Sequence, residues 1–421
     1  MATAAGPRSK NGASGRNPVA DRASSQLPQP SAALPRTSGT TSTVPPSPDP
    51  LRPLSGQKLY GIELLRFGAA LTVLFAHYYQ FFIYGLEPEN FSLTAQPLFL
   101  TFRPLYMYGT RAVEVFWCVS GFIFFHQYGR SISQRIITAK RFFWLRFSRL
   151  YPLHFFTLLA VALLQQIYHG VHGSYFVVAL NDLRHFILNL LFASHWGLQT
   201  GFSFNAPVWS VSLEILVYAF FFVTTWLLRI DLYMVVFWLL GCVALNHFLG
   251  YEGVFVRCLY YFYTGGLSCL CFQFLTERLP RHRILLAAGA ALLLVACLRR
   301  FQATADLDTW LLNTGTPVAL LLAALVSPFF TGWTAQLAET LGNLTYSSYL
   351  IHFPLQLVIM LLLGFAGVRH DLPYSPWFLL AYLAIILPLA RLIYKRVELP
   401  AQNYLRQRFV PTSRSHTPPP P

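Results

Sequence analysis

Residues 60–83 read YGIELLRFGAALTVLFAHYYQFFI, and this stretch decides the fold. It is apolar over a length that crosses a hydrocarbon core of ~30 Å as a helix, yet it carries Glu63, Arg66 and His77. Ionisable residues at membrane depth are costly unless they pair or line a wet cavity. Arg66 and His77 stand eleven positions apart, about three helical turns, so they share a face and lie ~16 Å apart along the axis. Ala69 and Ala70 keep that face slim, and Glu63, three positions before Arg66, is within ion-pairing reach. A purely structural account has Arg66 snorkelling to the headgroups and His77 at a helix contact, but it leaves a deep histidine on the arginine's face unexplained. The functional account makes His77 a general base, since an ordinary imidazole titrates close to neutrality.

Working outward, the 421 residues are 55% apolar, 16% aromatic and only 11% charged. Soluble domains are about one quarter charged, so this chain lacks the polar surface that dissolves a protein in water. Apolar runs recur at 60–83, 112–128, 152–168, 208–228, 232–249, 254–275, 284–298, 309–330, 341–364 and 376–394. The expected fold is therefore an all-α polytopic membrane protein of ten transmembrane helices, with 284–298 the shortest and 184–196 able to dip into the membrane. A net charge of +15 would fit nucleic acid in a soluble chain. Here it follows the positive-inside bias instead. With the N-terminus inside, 22 of the 31 Lys and Arg fall in inner segments and seven in outer ones or at an outer helix end; Arg66 and Arg391 lie within spans. Both termini are thus expected in the cytoplasm.

The domain reading has three parts: a disordered cytoplasmic tail at 1–57, a transmembrane domain at 58–397 and a cytoplasmic tail at 398–421. The first tail is rich in Pro, Ser, Thr, Ala and Gly and has no apolar block before Leu59, so the first span is expected to act as the insertion signal. The second ends in PTSRSHTPPPP, equally poor in core residues. Cys118, Cys242, Cys258, Cys269, Cys271 and Cys297 all fall within spans, without metal-ligand or disulfide spacing, and are read as buried free thiols. No metal and no nucleic-acid partner is expected.

Four further polar clusters carry the site reading. RAVEVFWCVSGFIFF (111–125) holds Glu114 near one end and Ser120-Gly121 in the middle; Ser and Gly at that depth serve close packing as readily as a site. Ser120 has no base beside it in sequence, so it is a substrate-binding candidate and not a nucleophile. KRFFWLRFSRLYPLHFF (140–156) alternates Lys140, Arg141, Arg146 and Arg149 with aromatics, and Pro152 is expected to open the next helix. Such a segment commonly contacts anionic lipid, and guanidinium groups also clamp phosphate. NAPVWSVSLEILVYAFF (205–221) places Ser210, Glu214 and Tyr218 on one stripe, with Trp209 beside it. Glu214 needs a partner there, and a structural salt bridge to an arginine would supply one. In SSYLIHFP (347–354), Ser348 and His352 share a face and Pro354 is expected to kink the helix.

These motifs, in this order, resemble the acyltransferase-3 family of integral membrane acyltransferases. The resemblance covers residues 58–400 and rests on the Arg-x10-His of the first span, SGF in the second, Arg-x-x-Arg-x-x-Pro entering the third, WSVSLE-x-x-x-Y in the fourth and SSYLIH in the ninth. It implies a ten-helix architecture and transfer of a short acyl group, commonly acetyl, from cytoplasmic acyl-coenzyme A to a hydroxyl of an envelope carbohydrate or glycolipid. Acyl-coenzyme A is then a co-substrate, with no bound cofactor, and the expected location is the bacterial inner membrane. Carried over residue by residue, His77 is the essential histidine and Arg66 its basic partner. Arg146 and Arg149 belong to the donor side, while Glu214 and Tyr218 fill the acidic and aromatic positions. Ser120, Trp209, Ser210 and His352 complete the substrate-binding candidates, and Glu214 is expected to orient the imidazole of His77. Some members carry a fused extracytoplasmic hydrolase-like domain. This sequence has no counterpart, which favours a self-contained enzyme or one with a separate partner. The rival class is a transporter or flippase for a lipid-linked glycan, but no internal repeat of broken helices supports it. A non-catalytic receptor or assembly subunit would leave His77 and Glu214 buried without purpose.

Overall fold

The ten apolar stretches all fall in helices. In the computed structural model the described residues are 58–84, 86, 91–249, 253–301, 305–367 and 371–410; all belong to the unit Asp49–Pro421. The expected tail at 1–57 and the stretch 411–421 lie outside them. In chain order the helices are α1 (Tyr60–Ala76), α2 (Phe99–Met107), α3 (Gly109–Phe124), α4 (Arg130–Ser133), α5 (Ala139–His172), α6 (Leu183–Leu190) and α7 (Val208–Leu227). They continue with α8 (Leu232–Leu249), α9 (Val254–Arg278), α10 (Arg281–Phe301), α11 (Ala305–Val326), α12 (Gly332–Phe365), α13 (Pro376–Ile393) and α14 (Leu399–Phe409). Among the described residues there is no strand; an isolated bridge joins Leu180 to Ser203. Five helical stretches are long and apolar enough to cross a membrane: 139–172, 208–227, 254–278, 332–365 and 376–409.

Close packing explains the small residues. A Cβ added to Gly121 on α3 would lie 1.8 Å from the Phe262 carbonyl oxygen, and one added to Gly265 on α9 would lie 1.8 Å from that of Cys118. The two backbones touch, as small residues permit between membrane helices. Gly121 is thus a packing residue, whereas its neighbour Ser120 turns to the site. α1 packs against α12, α3 and α11, and the Arg66–His77 face is half-buried among them. One apolar core gathers Trp117, Phe122, Phe221 and Phe262; a second gathers Tyr78, Phe81, Phe353 and Tyr382 around the far end of α1.

Two expectations change. Pro152 does not open a helix: it sits inside α5, a continuous helix of 34 residues that joins the basic segment to the third span. Pro354, by contrast, lies within a span as expected, inside the 34-residue α12, whose helix runs on to Phe365. Neighbouring helices hold a proline-containing membrane helix together. The thiols also divide: Cys118, Cys242, Cys258 and Cys269 are buried, but Cys271 and Cys297 are exposed on the helix surface. The segment after α6 folds back against α5, with Phe192 stacked on His154 at 3.9 Å and near Tyr151 at 6.0 Å. Asp182 caps α6 through the His185 amide (3.0 Å), and that hydrogen bond holds its carboxyl below the usual range.

The α3–α9 contact has a measurable consequence. Gly121→Ala is expected to destabilise the protein by about 1–3 kcal/mol through overpacking, lowering the thermal midpoint in detergent by several degrees. Gly68→Ala, whose Cβ meets nothing within 4 Å, serves as the control and is expected to leave it in place.

Candidate active site

Five cations converge on one cavity of about 530 Å³, lined by α1, α3, α5, α7, α12 and α14. They are Lys58, Arg66, Arg146, Arg149 and Arg406, joined by Glu63, Ser120, Ser210, Glu214, Tyr218 and Tyr349. The stripe Ser210–Glu214–Tyr218 faces it as a helical period requires. Arg66 pairs with Glu63 at 2.8 Å, and Lys58 pairs with Glu339. Arg149 pairs with Glu398, whose other oxygen accepts from Ser347 Oγ at 2.6 Å; its guanidinium also lies over the Tyr346 ring. Tyr346 in turn donates to the Leu150 carbonyl at 2.6 Å. These contacts bind α5, α12 and the start of α14 into one wall.

Glu214 sits within a second group. Tyr218 Oη donates to one of its oxygens, and Ser120 Oγ donates to the other at 3.4 Å. Tyr218 also stacks on Phe124 at 4.2 Å. No arginine forms an ion pair with Glu214 among the described residues; the partner it needs is supplied by two hydroxyls, not by the alternative salt bridge. Nor does Glu214 touch the imidazole of His77: its hydrogen bonds go to Tyr218 and Ser120, while those of His77 lie elsewhere. The role expected for Glu214 as orienter of His77 is therefore corrected.

The imidazole is oriented by backbone. His77 ends α1 with Nδ1 3.0 Å from the Val73 carbonyl oxygen, and Gln356 Nε2 donates to the His77 carbonyl at 3.0 Å. Its ring lies 5.0 Å from that of His352. His352 is fully buried, with Nδ1 2.7 Å from the Tyr349 carbonyl and Nε2 without a partner. A carbonyl only accepts, so each neutral ring carries its proton on Nδ1 and a lone pair on Nε2. Tyr349 links this pair to the cavity: its hydroxyl meets Ser210 Oγ at 2.7 Å and Pro207 O at 2.8 Å, and its ring is 5.9 Å from His352.

Of the predicted residues, the structure gathers Arg66, Ser120, Arg146, Arg149, Ser210, Glu214 and Tyr218 at the cavity, and pairs His77 with His352 beyond it. Trp209 points elsewhere, against Trp117 (5.8 Å) and His195 (5.6 Å). Sequence reading missed Tyr128, Tyr346, Tyr349, Gln402 and Arg406. Tyr346 and Tyr349 lie inside the quoted SSYLIH neighbourhood, one helical turn or two from His352. Gln402 and Arg406 lie in the expected C-terminal tail, which opens instead with an ordered helix.

The family model for the acyltransferase domain matches residues 59–395. The chain belongs to the acyltransferase-3 family. Its long apolar helices make it a multi-pass membrane protein. A curated relative, "Protein 2 in picA locus" of Rhizobium radiobacter, is 29% identical over 126 residues, which is 30% of this chain and 54% of that protein. The chain thus aligns with about half the length of this relative. No solved structure matches the chain.

Removing one partner of a buried ion pair strands the other. Glu398→Ala is expected to cost about 3–5 kcal/mol, and pairing Arg149→Met with Glu398→Met to recover most of it. Thermal unfolding of the three proteins in one detergent measures both effects.

Proposed function

We propose that this acyltransferase moves a short acyl group, acetyl in the first instance, from cytoplasmic acyl-coenzyme A to a hydroxyl of an envelope or exported carbohydrate. The observation that carries the reading is the cationic cavity, with a pair of imidazoles directly behind its Tyr349 wall. A phosphorylated donor suits the arginines, and an acyl acceptor hydroxyl suits the base. In this reading the chain makes ten passes with both termini in the cytoplasm, as the excess of basic residues in the inner segments supports. The membrane is the bacterial inner membrane, where a cytoplasmic thioester and an envelope glycan meet.

The chemistry follows from the tautomers. An acceptor hydroxyl is far too weak an acid to ionise near neutrality, so His77 Nε2 takes its proton as the oxygen attacks the thioester carbonyl. The tetrahedral adduct collapses, the carbon–sulfur bond breaks, and the proton passes from the imidazolium to the departing thiolate. In a two-step form His77 Nε2 attacks the thioester carbonyl and the coenzyme A thiolate leaves; the hydroxyl then attacks the acyl group, the carbon–nitrogen bond breaks, and the hydroxyl proton passes by way of the freed Nε2 to the thiolate. Arg66, in the cavity and ~16 Å along α1 from His77, serves the phosphate end of the donor. The flexible arm of the donor spans that distance past Tyr349. His352 lies beside the base, next to Tyr349, and Glu214 with Ser120 and Tyr218 lines the donor's passage.

His77→Ala is expected to lower acyl transfer by ~10²–10⁴-fold, the usual contribution of a positioned base. The measurement is transfer of radiolabel from acetyl-coenzyme A to envelope glycan extract, with wild type and variant purified into nanodiscs and matched for thermal stability. Undiminished transfer in the variant overturns the role of His77. Glycan-lipid binding by wild type without transfer from any short-chain donor overturns the acyl-transfer reading in favour of transport.

A further inference from the structure

Three of the five cations around the cavity carry their own anion: Lys58 has Glu339, Arg66 has Glu63 and Arg149 has Glu398. Arg146 and Arg406 do not. Among the described residues neither has a carboxylate within 4.0 Å. Arg146 donates to the Tyr128 hydroxyl at 2.6 Å and lies 4.9 Å over the rings of Phe124 and Tyr128. Its Nε is buried with no partner. Arg406 donates through Nε to Ser148 Oγ at 3.4 Å. Both side chains line the same cavity, Arg146 from α5 and Arg406 from α14.

The element that brings Arg406 there is held at both ends. Glu398, at the entry to α14, is paired with Arg149 and accepts from Ser347. Phe409, at its end, stacks on Trp144 with ring centroids 4.0 Å apart and planes 8° from parallel. Gln402, on the same face as Arg406, also lines the cavity. A guanidinium without an anion is costly in such a setting, and this helix is fixed so as to add one beside another.

We infer that Arg146 and Arg406 form a two-arginine clamp for the phosphate groups at the nucleotide end of the acyl donor, while Arg149 anchors α14 through Glu398. The inference rests on the reading of the cavity as the donor site and divides the roles of two arginines that the motif presents as equivalents. Two planar guanidinium forks receive phosphate oxygens in bidentate fashion, which a lysine cannot reproduce. The clamp acts on affinity for the donor and leaves the reacting carbonyl to the histidine end.

The test compares a donor that has phosphates with one that has none. Binding of radiolabelled acetyl-coenzyme A, and its competition by S-acetylpantetheine, are measured on the full chain in nanodiscs of zwitterionic lipid. Wild type is set beside Arg406→Gln, Arg406→Lys and Arg146→Gln. Wild type is expected to bind acetyl-coenzyme A far more tightly than S-acetylpantetheine. Each glutamine variant is expected to weaken acetyl-coenzyme A about 10–100-fold, the scale of lost charge-assisted hydrogen bonds. S-Acetylpantetheine should change less than about twofold, and Arg406→Lys should fall between.

An unchanged affinity for acetyl-coenzyme A in Arg406→Gln, an equal loss for both donors, or a wild type without phosphate preference each overturns the clamp. So does unchanged donor binding accompanied by loss of phosphatidylglycerol retention in anionic nanodiscs, which assigns the arginines to lipid headgroups. Phosphate preference abolished by Arg406→Gln in a protein that transfers label to no acceptor upholds the clamp and removes the acyl-transfer reading. Transfer that proceeds with phosphate preference intact in the variant does the reverse.

Discussion

A guanidinium among membrane helices is costly without a partner, and the pair Arg149–Glu398 offsets that cost in a way that shapes everything near it. The two residues are 249 positions apart in sequence, so the pair forms only if the chain after α13 returns to α5. Once it does, Glu398 also accepts from Ser347 on α12, and Arg149 covers the Tyr346 ring. Three helices are thereby fixed around one wall of the cavity. The chain that leaves Glu398 has no freedom to wander; it runs as α14 along the amphipathic part of α5 and ends on Trp144. One desolvated charge thus determines where α14 lies.

The same economy of buried polarity governs the two histidines. Neither ring has a carboxylate to set its tautomer, unlike the base of a hydrolytic triad. Backbone carbonyls of Val73 and Tyr349 do that instead. Each of these carbonyls lies three or four positions before its histidine, so each ring is positioned by its own helix and tolerates small shifts between helices. The arrangement also frees Glu214 from the imidazole. Its oxygens face Tyr218 and Ser120, two hydroxyls that satisfy a buried carboxyl group without a cation.

Much of this was legible in the sequence, and the reason is periodicity. Apolar runs of membrane length located the helices, and the i, i+4, i+8 spacing of Ser210, Glu214 and Tyr218 located one face of the cavity. The Glu63–Arg66 pair follows from helical spacing alone. What escaped depended on contacts between distant helices. Nothing in residues 205–221 announces that Glu214 faces Ser120, 94 positions earlier, rather than an arginine. Nothing in LPAQNYLRQRF (399–409) marks it as a cavity wall: its polar composition resembles a solvated tail, and its ordering comes from Glu398 and Phe409. Pro152 misled in the opposite direction, because local rules place a proline at a helix start, whereas bundle packing let α5 continue through it.

The separation of cations from histidines carries the deepest mechanistic content. Had the arginines surrounded the imidazoles, their positive charge would have disfavoured the imidazolium that a base must become. Instead the charges collect around Arg146, Arg149 and Arg406, while His77 and His352 sit among Gln356, Tyr349 and apolar side chains. A molecule with a polyanionic head and a long neutral arm matches this division, its head held where cations are plentiful and its reactive end delivered where they are absent. Tyr349 marks the boundary, since its hydroxyl faces the cavity and its carbonyl holds His352. That one residue therefore touches both the charged chamber and the histidine pair, through its hydroxyl and its carbonyl.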